Sequence, residues 1–322
     1  MTDHNVRIGS TMITFYNNTY WGLPEEIGAA GFRDVVMKDP LPYFERMLDG
    51  MKEAGVEGIE LAPAPGGWEG AKAAYGSAAG LKKALDARGL ALGSSYQNGR
   101  MLIGEVIDGT VTEEEADAYV DEHARFVAEL GADIIVMGTV RRTLFTDGDF
   151  DAEVPLEAME LVASHINRLA AVAWKHGVRI ALHTDAYSVC TRNRDINKML
   201  ELTNPENVWL CLDAGHTTLD GGDAVQALAD NIRRVPVMHW KDCYEPMHGT
   251  AIVGHPDPHA LMIEHFRIFG DGIIDWKAWQ RVLADAQWKG WAMAENDMAP
   301  APVAELRQAI KYFNEELASI YK

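Results

Sequence analysis

Short apolar runs rich in β-branched residues alternate along the chain with longer segments in which apolar positions recur every three or four residues. The short runs predict buried strands, and the longer segments predict amphipathic helices. Eight strands are predicted, over residues 6–14, 58–62, 90–96, 132–137, 178–183, 208–213, 235–239 and 291–295. The predicted helices include those over residues 43–54, 71–87, 113–130, 156–175, 223–233, 276–286 and 303–321.

Local signals mark the ends of several of these helices. Thr112 and Glu115 stand three residues apart at the start of a helical segment, which predicts a capping box in which each side chain binds the backbone amide of the other residue. Gly131 and Gly177 follow two predicted helices. We expect both glycines to adopt the left-handed conformation that commonly ends a helix.

The regular alternation of strands and helices predicts the fold class. Eight parallel strands, each followed by a helix, form a (β/α)8 TIM barrel, and the length of 322 residues is typical of that architecture. The 48% hydrophobic content is sufficient for its core. We therefore predict an α/β fold with a single barrel domain over residues 1–322, and a doubly wound open sheet is the alternative.

Two connections are too long to be simple turns. They cover residues 15–40, after the first strand, and residues 243–274, after the seventh. Loops of this length are commonly lids or binding elements, so we expect both at the C-terminal rim of the barrel. The second loop contains four histidines, but only His255 and His259 have a metal-like spacing, and Pro256 and Pro258 interrupt it. We predict a loop that covers substrate or contacts another subunit.

Charge and composition exclude several classes of function. With 29 basic and 48 acidic residues, the formal net charge of −19 disfavours binding to nucleic acid or to an anionic membrane. The three cysteines have no metal spacing, and no signal or membrane-spanning segment is evident, so we expect a cytoplasmic protein. The chain also lacks GxGxxG, GxxxxGK[ST] and GxSxG, which argues against a nicotinamide cofactor, a P-loop and a serine hydrolase.

Polar residues stand at the ends of five predicted strands, where barrel enzymes carry their chemistry. Asp213 and His239 end consecutive strands, and His183 and Glu295 end the strands on either side of them. Two imidazoles and two carboxylates form a mixed nitrogen and oxygen set that suits a divalent metal, with Mn²⁺ first and Co²⁺, Zn²⁺ or Mg²⁺ as alternatives. For His183, the role of catalytic base competes with that of ligand. Glu60, at the end of the second strand, is a candidate for substrate binding.

Other residues near these strand ends are candidates for contact with substrate. We expect Gly215 to allow a sharp turn that returns His216 to the site. Asp185 could orient His183 or contact substrate. Lys241 could hold a hydroxyl or an oxyanion if its strand ends near Trp240, and a solvated lysine is the alternative. Trp240 is a candidate for packing against a sugar ring.

The C-terminal half of the chain resembles the xylose-isomerase-like superfamily of sugar isomerases and epimerases. The resemblance rests on AGH after Asp213, on HWKD at the seventh strand and on FGDGIIDW followed by GWAMAEND. Within the superfamily, the chain is most similar to the inosose dehydratases, which also have a histidine in place of the strand-five glutamate of the epimerases. The resemblance implies the following residues: Asp213, His239 and Glu295 as metal ligands, His183 at the fourth ligand's position, and His216 and Lys241 as binders of substrate oxygens.

The histidine at position 183 bears on the reaction that the resemblance implies. Epimerases of the superfamily use two ligand glutamates on opposite faces of the substrate, and only Glu295 remains of that pair here. An imidazole facing a carboxylate suits elimination, in which a base takes the proton next to a carbonyl and an acid assists departure of the β-substituent. We therefore predict a metal-dependent lyase that acts on a keto-sugar or keto-polyol, with Glu295, His183 and Lys241 as catalytic residues.

Several alternatives stay open at this point. The chain also resembles the catalytic subunits of C-glycoside deglycosidases, which eliminate an aglycone from a 3-oxo-sugar together with a small partner subunit. A ketose epimerase or isomerase is a third enzyme, and a non-catalytic sugar-binding or assembly subunit belongs to another class. A homo-oligomer or a complex with a small partner subunit is compatible with all of these alternatives. The acidic charge argues against the DNA-repair nucleases that share the fold.

Overall fold

In the computed structural model, which describes residues 5–255 and 257–320, eight parallel strands form a closed barrel. A ninth, short strand lies outside it. The strands of the described residues are β1 (Val6–Thr11), β2 (Gly58–Leu61), β3 (Ala91–Gln97), β4 (Ile134–Gly138), β5 (Arg179–His183), β6 (Val208–Asp213), β7 (Val237–Cys243), β8 (Phe266–Ile268) and β9 (Gly290–Ala294).

The pairing of the strands confirms the predicted TIM barrel. Strands β1 to β6 pair in sequence order, β1 also pairs with β9, and β9 pairs with β7. The pairing of β6 with β7, which includes Asp213 opposite His239, closes the barrel. A doubly wound sheet has two free edges, so this closure rules out that alternative. That the whole chain is one domain stays a prediction.

Helices surround the barrel. They are α1 (Gly28–Val36), α2 (Pro40–Ala54), α3 (Trp68–Tyr75), α4 (Ala78–Asp86), α5 (Glu105–Ile107), α6 (Glu113–Glu129), α7 (Leu156–Trp174), α8 (Asn193–Leu202), α9 (Ala214–Leu219), α10 (Ala224–Asn231), α11 (Pro258–His265), α12 (Trp276–Asp285) and α13 (Pro302–Tyr312). No helix in this part of the chain is long and apolar enough to cross a membrane.

Most differences from the predicted elements lie at their ends. The helix predicted over 71–87 is divided, because Gly76 has a φ of +77° and Ser77 caps the next helix by accepting a hydrogen bond from the amide of Gly80. The helix predicted over 303–321 becomes α13 and a π-helical segment, Phe313–Leu317, and residue 321 lies outside the described residues. The first predicted strand is shorter, since a 3-10 turn begins at Met12.

The predicted helix ends are confirmed. The hydroxyl of Thr112 accepts from the amide of Glu115 at 3.2 Å, and the Glu115 carboxylate accepts from the amide of Thr112 at 2.9 Å. Gly131 and Gly177 have φ values of +81° and +74°. These conformations are readily adopted by glycine, which has no Cβ to clash with the backbone.

The two long loops contain structure of their own. The loop after β1 holds α1, and the loop after β7 holds α11 and β8. Strand β8 runs antiparallel to β7 and pairs with it from Lys241 to Cys243. This pairing extends β7 beyond the barrel rim and directs the rest of the loop back over the barrel mouth, where Met262 and His259 of α11 contact the cavity described below.

The alternation of side chains along the strands separates two parts of the core. Residues of one face form a cluster inside the barrel that includes Val136, Cys211, Val237 and Met293. Residues of the other face, such as Trp240, join the larger cluster between the strands and the helices. Because residues two apart on a strand share a face, His239 follows Val237 into the barrel interior.

Candidate metal centre and active site

Three side chains at the C-terminal ends of β5, β6 and β7 meet above the barrel interior. One ligand atom each from His183, Asp213 and His239 lies within 4.8 Å of the others. His183 Nε2 is 3.0 Å from His239 Nδ1 and 3.4 Å from Asp213 Oδ2. His239 Nδ1 is 3.7 Å from the same Asp213 oxygen. Two imidazole nitrogens and a carboxylate oxygen therefore face a common point.

Glu295, the first residue after β9, adds a fourth ligand atom. Its Oε2 lies 2.6 Å from His239 Nδ1, yet it accepts no hydrogen bond from a described residue. Asp213 Oδ2 is likewise buried and without a hydrogen-bond partner. Buried polar atoms without partners are costly, and such atoms of a native protein commonly bind an ion or water. The ligand atoms of His183, Asp213 and His239, with Glu295 Oε2 beside His239, fit a divalent cation, and these four residues are called the cluster below.

The outer nitrogen of each imidazole is held by a second carboxylate. His239 Nε2 lies 3.0 Å from Glu60 Oε1, and His183 Nδ1 lies 3.0 Å from Asp185 Oδ1. The hydroxyl of Ser94 donates to Glu60 at 2.7 Å and fixes it in turn. Metal-binding histidines usually have such a partner, because it sets the tautomer and the ring orientation.

The acidic groups around the two imidazoles change the pKa of each ring. Burial alone would lower the pKa of His183, but Asp185 and Asp213 outweigh it and raise the pKa to about 9. The pKa of His239 is also raised well above its usual value, against the effect of burial, by negative groups that include Glu60 and Glu295. A site that attracts protons this strongly also attracts a divalent cation, and the two compete for the same nitrogens.

The sequence analysis expected Lys241 to reach the site only if its strand ended near Trp240. Instead β7 continues to Cys243, and Lys241 reaches the site on the same face of the strand as His239. Its side chain is fully buried, and Nζ lies 2.7 Å from Glu295 Oε1 and 3.1 Å from Asp297 Oδ2. Burial would lower the pKa of Lys241, but Asp297, Glu295 and Asp213 raise it above its usual value. The ammonium therefore stays charged and positions Glu295 from below the cavity.

Gly215 has a different role from the one expected. It lies within α9, which begins directly after β6, and it has no left-handed conformation. Asp213 caps this helix through a hydrogen bond from the amide of His216 to Oδ1 at 2.8 Å, which leaves Oδ2 directed at the cluster. A Cβ at Gly215 would lie 2.7 Å from Lys241 Cγ, so the glycine makes room for the lysine.

His216 is held in the neutral form. Its Nδ1 accepts a hydrogen bond from the amide of Ala186 at 3.0 Å, and its Nε2 lies 3.1 Å from Lys241 Nζ. Burial and the positive charge of Lys241 lower the pKa of His216 to about 3. A neutral imidazole at the cavity wall can contact a substrate hydroxyl, but it is not a source of protons at neutral pH.

A cavity of about 710 Å³ opens directly above the cluster. Six of the predicted site residues line it: Glu60, His183, Asp185, His216, His239 and Glu295. Asp213 and Lys241 lie beneath its floor. Trp240 is not brought to the cavity, because its ring points to the other face of β7 and packs against Phe269 and Trp276, with centroid distances of 5.1 and 5.3 Å.

The cavity walls also contain residues that the sequence analysis did not single out. Asp297 receives hydrogen bonds from Lys241 at 3.1 and 3.2 Å, and the spacing of Glu295 and Asp297 in AEND repeats that of His239 and Lys241. The Tyr96 hydroxyl donates to Asp185 at 3.4 Å. Among the four histidines of the loop after β7, His259 lines the cavity. Beyond the cluster at His183, the described residues contain no second group of three potential metal ligands.

Characterised proteins with similar sequences include dehydratases. The inosose dehydratase of Geobacillus thermodenitrificans is 28% identical to this chain over 240 residues, which cover 72% of the chain and 77% of the relative. That of Clostridium perfringens is 27% identical over 237 residues, with the same two coverages. Both matches extend over most of the barrel.

Solved structures share the fold at much lower sequence identity. The probable 3-DHS dehydratase AsbF of Bacillus anthracis is 13% identical, with a TM-score of 0.70, and the match covers 96% of this chain and 99% of that one. The IOLI protein, solved with a bound zinc atom, is 14% identical, with a TM-score of 0.68 and coverages of 98% and 99%. Residues 48–316 match the sequence model of one family. The chain therefore belongs to the xylose isomerase-like TIM barrel family.

Proposed function

We propose that this protein is a divalent-metal-dependent lyase that removes the proton next to the carbonyl of a keto-sugar or keto-polyol and eliminates a β-hydroxyl group. Dehydration of an inosose is the leading form. The observation that carries the proposal is the group of ligand atoms from His183, Asp213 and His239, with Glu295 Oε2 2.6 Å from His239; the free oxygens of Asp213 and Glu295 are both buried and unpartnered. The similarity to inosose dehydratases gives the class of substrate.

The four cluster residues would hold the cation. Their mixed nitrogen and oxygen donors suit Mn²⁺, which we propose as the native ion, and also Co²⁺ or Zn²⁺. When bound, a divalent cation supplies Lewis-acid chemistry, since it polarises a carbonyl and stabilises the negative charge that develops when the adjacent proton leaves. Glu60 and Asp185 would keep both imidazoles oriented towards it.

Glu295 and His183 are the two candidates for the base that removes the proton, and for His183 this role competes with that of a ligand. Burial would raise the pKa of Glu295, but Lys241 and His239 lower it well below its usual value, so the carboxylate is ionised and able to accept a proton. His183 also lines the cavity, next to Asp185. Lys241 is proposed as the residue that positions Glu295, because it does not reach the cavity itself.

The polar groups around the cluster provide contacts for a polyhydroxylated substrate. The carboxylates of Glu60 and Asp185 can accept hydrogen bonds from hydroxyl groups, and the neutral His216 can contact a further oxygen. A site that binds the hydroxyls of its substrate discriminates strongly against analogues without them. We propose these three residues, without Trp240, as the substrate-binding set.

The size of the cavity favours a second candidate, elimination from a 3-oxo-glycoside. A six-carbon sugar has twelve non-hydrogen atoms and, at no more than about 30 Å³ for each, fills at most about half of the 710 Å³. Ile13, Tyr16, Phe32 and Met298 form an apolar wall that an aglycone could contact. In this reaction the same groups would remove the proton, and the leaving group would be the aglycone.

One experiment separates these candidates. The protein, loaded in turn with Mn²⁺, Co²⁺ and Zn²⁺, is incubated in D₂O with inososes, 3-oxo-glycosides and free ketoses, and deuterium uptake and products are read by NMR and mass spectrometry. Dehydrated inosose supports the leading proposal, and a released aglycone supports the second. Exchange with inversion and no elimination would identify an epimerase. Less than about one ion per subunit, with unchanged stability on chelation, would indicate a non-catalytic subunit.

A further inference from the structure

Four histidines line the cavity, and they differ in what their ring nitrogens bind. His183 and His239 direct one nitrogen at the cluster and the other at a carboxylate. His216 has Ala186 at one nitrogen and Lys241 at the other. Each of these three rings therefore has protein groups beside both nitrogens, which makes it poorly placed to give a proton to the leaving group.

His259 differs from the other three. It lies on α11, in the loop that passes over the barrel mouth, and its side chain is 47% exposed. Neither ring nitrogen forms a hydrogen bond with a described residue, and Nε2 lies 3.8 Å from Asp297 Oδ2. The Asp297 carboxylate is fixed by two hydrogen bonds from Lys241. It can therefore orient the His259 ring. His259 thus presents an imidazole to the cavity from α11, in the loop after β7.

We propose that His259 is the general acid that protonates the leaving group. The inference rests on the proposed function, because it assigns the second proton transfer of that elimination. In the first step the C–H bond next to the carbonyl breaks, its proton passes to the base, Glu295 or His183, and its electron pair forms the enolate. In the second step this electron pair forms the carbon–carbon double bond, the C–O bond at the β-carbon breaks, and the departing oxygen keeps that bonding pair. The oxygen takes a proton from the imidazolium and leaves as water or as an alcohol, and His259 regains a proton from solvent.

The other titratable groups of the cavity are less suited to this role. Glu295 directs one oxygen at His239 and the other at Lys241, and Asp185 lies beside the outer nitrogen of His183. The Tyr96 hydroxyl donates its hydrogen bond to Asp185. Both oxygens of Asp297 already bind Lys241.

The surroundings of His259 favour proton donation. Burial at the cavity wall, together with the positive charge of Lys241, lowers the pKa of His259. A lower pKa makes the imidazolium a stronger acid, and the partly exposed ring can be protonated again by water between turnovers. Positioned proton transfer of this kind contributes about 10²- to 10⁴-fold to a rate.

The test is His259→Gln in the metal-loaded protein, with two reactions measured on the substrate that the wild type eliminates. Deuterium exchange next to the carbonyl should stay within about threefold of the wild type, while elimination should slow by about 10²- to 10⁴-fold. An analogue with fluoride in place of the leaving oxygen needs no acid, so both proteins should eliminate it at similar rates. His248→Gln is the matched control, since this exposed histidine of the same loop does not line the cavity.

Each result has a distinct meaning. Unchanged elimination by the variant would overturn the inference alone, as would a loss of exchange equal to the loss of elimination, because His259 would then act in binding or in proton removal. An equal defect with the fluoride analogue would also overturn it. A wild type that neither exchanges nor eliminates any keto-sugar would overturn the proposed function, and the inference with it. Far-UV circular dichroism and the melting temperature check that the variant is folded.

Discussion

Replacement of His123 by glutamine should make the protein markedly less sensitive to mild acid. His123 lies on α6, fully buried, with its ring stacked on Trp68 at a centroid distance of 5.5 Å. Its Nε2 is 2.7 Å from the Ser95 hydroxyl, and no charged group is close enough to stabilise an imidazolium. Burial therefore lowers the pKa of His123 to about 3.

The size of the effect follows from this pKa. In the unfolded chain the pKa of a histidine is about 6.5, so between pH 6.5 and pH 3 the unfolded state binds a proton that the folded state excludes. The stability that His123 contributes is therefore fully present above pH 6.5 and is lost as the pH falls. Between pH 7 and pH 5 the loss is about 2 kcal/mol from this one residue.

The assay is urea unfolding of the wild type and of His123→Gln at pH 7 and pH 5, with fixed metal and salt concentrations. Glutamine keeps a hydrogen-bonding group for Ser95 and does not titrate, so the wild type should lose about 2 kcal/mol more than the variant over this interval. His248→Gln, which removes an exposed histidine, should behave as the wild type. Equal losses in wild type and His123→Gln would refute the reasoning, because His123 would then be protonated in the folded state.

The remaining predictions concern the candidate metal centre. Glu60→Gln removes the charge that holds His239 and should weaken binding of Mn²⁺ by about 10- to 100-fold in a competition with a chromophoric chelator; unchanged affinity would show that Glu60 does not act through His239. Lys241→Met leaves Glu295 without its buried counter-charge and should lower the free energy of unfolding by about 3–5 kcal/mol, as measured with denaturant, while a smaller loss would mean that water or protons replace the ammonium. Gly215→Ala places a Cβ 2.7 Å from Lys241 Cγ and should cost about 1–3 kcal/mol, whereas a neutral effect would show that the lysine moves freely.

The barrel could be predicted from the sequence because its strands are buried on both faces and are therefore continuous apolar runs. Because these eight runs alternate with helices, only a few chain topologies are possible. The elements that were missed depend on tertiary contacts. Helix α1 contains two glycines and lies in a segment predicted as a loop, and α11 has only eight residues. The three residues of β8 form a strand only because β7 extends beyond the rim to pair with them.

The candidate site was predictable to the extent that it depends on strand ends. His183 and Asp213 end their strands, Glu295 directly follows one, and His239 lies opposite Asp213 within β7, so the four meet at one rim of the closed barrel. The roles of Lys241 and Trp240 depend on a finer property, the direction of each side chain on an extended β7. Residues two apart share a face, so Lys241 joins His239, and Trp240 packs against the helices. The position of His259 depends on the path of a long loop, which no local pattern specifies.

The histidine at position 183 changes the charge of the ligand set, and this links the site to the proposed reaction. Two neutral imidazoles with Asp213 and Glu295 carry two negative charges, which balance a divalent cation, whereas a glutamate at position 183 would give three. A cation with fewer anionic ligands withdraws electrons more strongly from a carbonyl, which favours loss of the adjacent proton. Asp185, 3.0 Å from the outer nitrogen of His183, keeps this imidazole oriented without adding a charged ligand. In the proposed reaction, no second ligand carboxylate returns a proton to the opposite face, and this favours expulsion of the β-substituent.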